Sequence, residues 1–394
     1  MKSTITLLLF ILLNSNLSAQ FAWSQKNNFP ASRCGTSYFT IGNKAYVGSG
    51  YNGTGHNEWW EYDYINDTWA QKANYPIPSL WSASCFSINN KGYVICGTNS
   101  SYTLAFYEYD PSLDTWTQKA NFPGGARQDA SFFSLNGYGY VTCGYGGVYR
   151  DDLWQYDQNT DTWTQKTSFP GSSRTGTVSF VLNNNAYVGL GVSNGIVYSD
   201  FYCYNGTNDS WVQVANFPGA ARNSCSTFTY NGLGFCGLGY DNATTYYSDF
   251  YTYNDSTNVW NQTLNYPGPE TSYTFSFSLG NFAYVGTGKG PGSAYLNEVY
   301  KLSRINDGIS ENTKSDFSAT VIYGNNSPSI KINSAINEKI HFVIYDAAGQ
   351  LIYKSDFNST HIINVNDILT LSAGTYIFKI SNKSRSYTDK LIIY

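Results

Sequence analysis

Charge is scarce in this 394-residue chain: Asp, Glu, Lys and Arg make up 13% of it, and the formal net charge is -4. Without a basic excess there is no electrostatic footprint for nucleic acid, and no such partner is expected. Histidine is rarer still, with only His56, His341 and His361. The seven cysteines match no zinc spacing. No metal and no cofactor are expected. Long apolar runs are missing too. The run from Ile5 to Leu13 falls well short of the ~20 residues that span a bilayer, so an integral membrane protein is not expected. Preceded by Met1-Lys2 and followed by Leu17-Ser18-Ala19, it reads as a secretory signal peptide over residues 1–19. An odd number of cysteines cannot all pair. Burial as small apolar residues is the plain reading. Cys85 and Cys96, close across a predicted hairpin, form the pair nearest to a disulfide.

Aromatic residues and glycine are abundant, with 36 Tyr, 10 Trp and 36 Gly. Six of the tryptophans recur at a nearly fixed spacing: Trp23, Trp69, Trp116, Trp163, Trp211 and Trp260. A proline follows each by seven residues, at Pro30, Pro76, Pro123, Pro170, Pro218 and Pro267. A period near 47 residues marks a propeller or array. Each unit reads as four short strands. In the third they are about Asp129–Leu135, Gly139–Gly144, Leu153–Tyr156 and Thr162–Lys166. Asn136-Gly137 joins the first two, because both central positions of such a turn need positive φ. Asp157 to Asp161 supply the second turn, where short polar side chains bond back to the backbone.

A lone four-stranded sheet cannot bury both faces. Stacked radially, each blade covers the next. The recurring Trp would fill the wedge between blades, burying ~150–250 Å2 each. The first Trp opens the chain, and the last unit ends at Glu298-Val-Tyr-Lys-Leu302 with no Trp strand after it. The segment around Ala22–Gln25 should therefore complete the sixth blade as its outermost strand. The fold class is all-β: a six-bladed propeller over 20–303, a linker over 304–317, and a small antiparallel sandwich over 318–394.

The units resemble kelch repeats. The resemblance rests on an Arg after the Pro-Gly loop, a Tyr-Val strand ending in Gly, and a Tyr-Asp pair with Trp six residues after the Asp (Asp63/Trp69, Asp110/Trp116, Asp157/Trp163). It departs where the family's Gly-Gly pair keeps one glycine, at Gly50, Gly97, Gly144, Gly191, Gly239 and Gly288, and where Leu80 and Thr271 replace the Arg. Kelch propellers are mostly binding scaffolds. Copper oxidases of that architecture need more His than this ring holds. Sialic-acid mutarotases need a central acid and base, and Glu270 is the only loop acid that stands out. No catalytic residue is assigned.

The C-terminal segment resembles the sorting domain of the type IX secretion pathway of Bacteroidetes-type bacteria. The carrying residues are Tyr345-Asp346-Ala-Ala-Gly349-Gln-Leu-Ile, Leu371-Ser-Ala-Gly374-Thr-Tyr-Ile-Phe-Lys-Ile and Lys390-Leu-Ile-Ile. The usual Pro-Asn-Pro opening appears as Tyr323-Gly-Asn-Asn-Ser-Pro328. The resemblance implies recognition by an outer-membrane translocon, then surface attachment or release.

The two hairpin turns of each blade define one face. The opposite face carries the variable loops between second and third strands and the crossovers between blades, and function tends to sit on such loops. It collects Trp81, Tyr102, Tyr149, Tyr198, Tyr246 and Tyr295 with Arg33, Arg127, Arg174 and Arg222, a set suited to glycan rings or acidic groups. The plainer reading of the arginines is pairing with Asp152, Asp200 and Asp249. A glycan or a surface protein is the expected ligand. A structural, adhesive or protein-interaction module is the alternative, and a carbohydrate-active enzyme a third.

Overall fold

The computed structural model describes residues 21–304 without interruption, and then 317–323, 328–334, 339–346, 350–358, 361–364, 374–381 and 386–393. The signal peptide expected at 1–19 and nearly all of the expected linker lie outside the described residues. The chain divides into a unit ending at Ile305 and one beginning at Asn306.

Six four-stranded antiparallel sheets build the first unit. Blade three comprises Ser131–Leu135, Tyr138–Thr142, Leu153–Asp157 and Thr162–Lys166. The first strands of successive blades touch one another, from Ser37–Ile41 round to Phe275–Leu279 and back, so they line the axis. The sixth blade runs Phe275–Leu279, Phe282–Lys289, Tyr295–Arg304, with Phe21–Lys26 as its outer strand and Trp23 opposite Leu302. The ring closes by strand pairing, as the phase of the repeat predicts. The first hairpin turns have the expected conformation: φ is 53° and 81° at Asn136-Gly137, and 44° and 63° at Asn89-Asn90.

Packing between blades explains the tryptophan period. Trp116 stands 5.1 Å from Trp59 and 6.4 Å from Phe39, both of blade one, and 4.9 Å from Tyr109 of its own. Its Nε1 also donates to the Ala73 carbonyl at 3.0 Å, next to blade one's outer strand. One residue of the adjacent turn completes the latch. Asp114 Oδ1 accepts from the Ala73 amide at 2.9 Å and from Tyr109 Oη at 2.7 Å. Asp67, Asp161, Asp209 and Asn258 do the same, each at φ near 50°. The recurring Tyr, Asp (Asn258 in blade five) and Trp thus form one device that clips five of the six blades to the one before it.

The expected Cys85–Cys96 disulfide is not formed. Cys85 sits opposite Val94, and Cys96 lies past the end of its strand, in a different interblade cluster. All seven cysteines are free. Burial pushes the thiols of Cys85 and Cys96 up to about 12, which keeps them protonated and unreactive.

The second unit has two antiparallel sheets. One holds Phe317–Tyr323, Pro328–Ser334 and His361–Asn364. The other holds Leu351–Asn358, Lys339–Asp346, Gly374–Ser381 and Ser386–Ile393. Ile340, Phe342 and Ile344 alternate inward, as do Tyr376, Phe378 and Ile380. The strand His361–Asn364 was not foreseen, because four residues are too few to display a period.

Candidate ligand-binding face

Six residues at one repeat position meet at the axis: Gly35, Ser82, Asp129, Gly176, Ser224 and Tyr273. Each has φ between 50° and 63°. The left-handed conformation turns the chain from crossover into inner strand. It also aims each amide at the preceding blade. Ser82 donates to Gly35, Asp129 to Ser82, Gly176 to Asp129, Ser224 to Gly176, Tyr273 to Ser224 and Gly35 to Tyr273, all at 2.9–3.0 Å. The result is a closed belt of six backbone hydrogen bonds at the loop end of the channel.

Inner strands are edge strands, with carbonyls exposed to the channel. Hydroxyls of the neighbouring blade satisfy them. Ser134 donates to Ser87, Ser179 to Phe132, Thr227 to Ser179 and Ser276 to Thr227, at 2.6–2.9 Å. Tyr38 and Phe132 meet across the channel at 5.8 Å. They separate an upper cavity of about 110 Å3 from a lower one of about 310 Å3. The upper cavity contains Asp129. Ser82 and Gln128 donate to its carboxylate, the latter at 3.0 Å. Burial pushes this carboxyl up to about 6.

Outside the belt, Cys34, Trp81, Gln128, Thr175, Asn223 and Ser272 bridge to the bases of the variable loops. Aromatic rings cluster there in three groups. Trp81 packs on Tyr51 at 4.9 Å, and Tyr51 on Tyr295 at 6.0 Å. Tyr145 lies between Tyr102 and Tyr149, at 6.0 and 4.9 Å. Tyr240 stacks on Tyr246 at 5.5 Å and reaches Tyr273 by a 3.2 Å hydroxyl contact.

The arginines lie beneath this surface. Arg33, Arg127, Arg174 and Arg222 are 3%, 0%, 1% and 0% exposed. Arg127 donates to the Cys143 carbonyl at 2.8 Å and to both oxygens of Asp152, and it covers the Phe122 ring at 5.0 Å. Arg174 and Arg222 pair in the same way with Asp200 and Asp249, while Arg33 reaches a single oxygen of Glu58 at 3.3 Å. Tyr198 covers Arg174 at 3.8 Å. The guanidiniums therefore hold loops to strands within a blade, and none of the four faces the open mouth. In blade two the whole device is replaced: Leu80 stands for the Arg and Ala105 for the acid. Swapping both partners together leaves no unpaired buried charge. Glu270 is exposed on its loop.

Five of the predicted site residues, Trp81, Tyr102, Tyr149, Tyr246 and Tyr295, therefore stand on the loop face, together with Tyr51, Tyr145 and Tyr240, which sequence reasoning passed over. Asp129 was passed over as a site residue too. Its signal was present: aligned by repeat, it is the one acid in a column of Gly, Ser and Tyr.

Residues 325–394 match the family model described as the secretion system C-terminal sorting domain. The chain ends in a sorting domain. The sorting domain implies export through type IX secretion, to the cell surface or beyond. Among the described residues no helix is long and apolar enough to cross a membrane. The solved structure described as "Structure of YjhT" aligns over 70% of this chain and 96% of that chain, with a TM-score of 0.62 at 15% identity. At that identity the likeness concerns the propeller fold alone. No curated protein matches the chain.

Proposed function

We propose that the exported chain is a kelch-type binding protein, secreted or held at the cell surface, whose propeller presents its loop face to a glycan. The observation that carries this reading is the grouping of Trp81, Tyr51, Tyr295, Tyr102, Tyr145, Tyr149, Tyr240 and Tyr246 around the mouth of the channel. Sugar rings stack on such platforms through their apolar C–H faces, while phenol hydroxyls bond to sugar hydroxyls. The buried arginines serve this face indirectly, by fixing the strands from which the loops spring. Export supports the reading, because it delivers the propeller to where surface glycans are.

A glycan-array screen of the purified chain tests the proposal. Trp81→Ala is expected to weaken binding by about tenfold or more, as for a central aromatic anchor, with an unchanged melting transition. Capture of a surface protein with no glycan bound would replace the proposal with a protein-interaction or adhesive role.

A further inference from the structure

The belt at the axis leaves one group unexplained. Every other belt residue is glycine, serine or tyrosine, and a left-handed position accepts Asn as readily as Asp. Conformation therefore accounts for a short polar residue at position 129 but not for its charge. The belt's six amides and six carbonyls are spent on one another. None of them is free to neutralise a carboxylate. Among the described residues, no lysine, arginine or histidine pairs with Asp129 either; its side-chain partners are the neutral Ser82 and Gln128. A carboxylate taken from water without a counter-charge is costly, and an incoming cation removes that cost.

The surroundings indicate which cation. The hydroxyl-bearing residues Ser82, Ser224, Tyr273, Thr36 and Thr177 line the same cavity. Gln128, which donates to the carboxylate, bridges to Tyr145, and Tyr273 of the same cavity meets the Tyr240 hydroxyl at 3.2 Å, so the cavity adjoins the aromatic mouth. One carboxylate among neutral hydroxyls is too few charged oxygens for a divalent ion, which takes several. It suits an ammonium, whose three protons need one anion and two neutral acceptors, and whose charge is favoured by nearby ring faces.

We propose that Asp129 is the recognition group for a primary ammonium carried by an amino sugar. The inference rests on the loop face being a glycan site, and it names the group that gives that site its selectivity. A glycan would lie on the aromatic mouth and direct the amine of one residue down to the belt.

Calorimetric titration of the whole protein with a glucosamine oligomer, its N-acetylated counterpart and a blocked lysine amide tests this near neutral pH. The free-amine oligomer is expected to bind about tenfold or more tightly than the acetylated one, the scale of one charge-assisted hydrogen bond. Asp129→Asn should level the two. Asp129→Ser, which copies the belt residue of blades two and five, should do the same. Equal binding of the two oligomers, or discrimination that survives both substitutions, overturns the amine inference; loss of both oligomers on Trp81→Ala would then still support the glycan face. Binding of the lysine amide alone overturns it in favour of a protein ligand. No binding of any probe overturns the amine inference, and the glycan-array screen then decides the glycan face separately.

Discussion

At the residue scale, Asp129 is a half-buried acid whose folded environment opposes its charge. Its carboxyl titrates at about 6, against an ordinary value of 3.8. The folded chain therefore binds this proton more tightly than the unfolded chain does. Stability attributable to Asp129 is unchanged below the ordinary value, falls as the pH rises from there, and is fully lost above about 6. The shift sets an upper bound of about 3 kcal/mol, reduced because the carboxylate keeps part of its surface toward the cavity. Asp129→Asn keeps the shape and the left-handed backbone and removes the charge. It should melt higher than the parent at neutral pH and alike near pH 3.8. Melting curves across that range check the sign, and a variant less stable at neutral pH would contradict it. A second residue-scale feature lies where the kelch pattern has paired glycines. Cys143 and Gly144 both have positive φ, 62° and 98°. A Cβ at Gly144 would sit within 3.1 Å of Ala130, the Gln128 carbonyl and Arg127, so that position must stay glycine. The Cys143 side chain is buried in an interblade cluster.

At the element scale, the Tyr–Asp–Trp latch repeats at every junction but one. Blade six has no continuous turn between its third and fourth strands, because the first and last strands of the ring pair there: Tyr295–Arg304 leads away and Phe21–Lys26 arrives. No turn acid can clip it to blade five. The consequence is visible at Trp23, whose buried Nε1 has no partner among the described residues, whereas Trp116, Trp163, Trp211 and Trp260 each donate to a carbonyl of the previous blade. Aromatic packing remains, with Trp23 against Phe250 and Tyr266 at 5.6 and 5.5 Å. The seam between blades five and six should open first. Amide exchange at Val259–Gln262, the outer strand of blade five, should therefore be faster than at Thr162–Lys166 of blade three. Slower exchange at the seam would mean that the strand pairing and the rings compensate for the missing latch.

At the scale of the whole molecule, the propeller and the sorting domain are separate units. The propeller closes on itself, since its first and last strands pair with each other. Its cohesion does not depend on any strand beyond Arg304. Removal of 325–394, the segment matched as a sorting domain, should leave the propeller's melting transition unchanged and abolish export of the protein from the cell. Fractionation of cells producing the shortened chain checks this, and its appearance outside the cell would show that another signal suffices.

The architecture was legible because repetition writes it into the chain. Six Trp at one period, Asn-Gly turns and an unpaired N-terminal Trp strand are local or nearly local facts, and they specify blade number, strand order and the closing strand without any knowledge of packing. The sorting domain was legible for a similar reason, through short turn and strand motifs in a set order. The arginines were only half legible. Their recurrence is a property of the sequence, but whether a guanidinium faces solvent or a buried carboxylate depends on residues ~25 positions away that fold back over it. Asp129 lay still further out of reach. One acid in a column of small residues acquires meaning only when six distant segments converge, spend their backbone hydrogen bonds on each other and leave that carboxylate alone at the axis. Sequence periodicity determined the ring; only tertiary closure decided what stands at its centre.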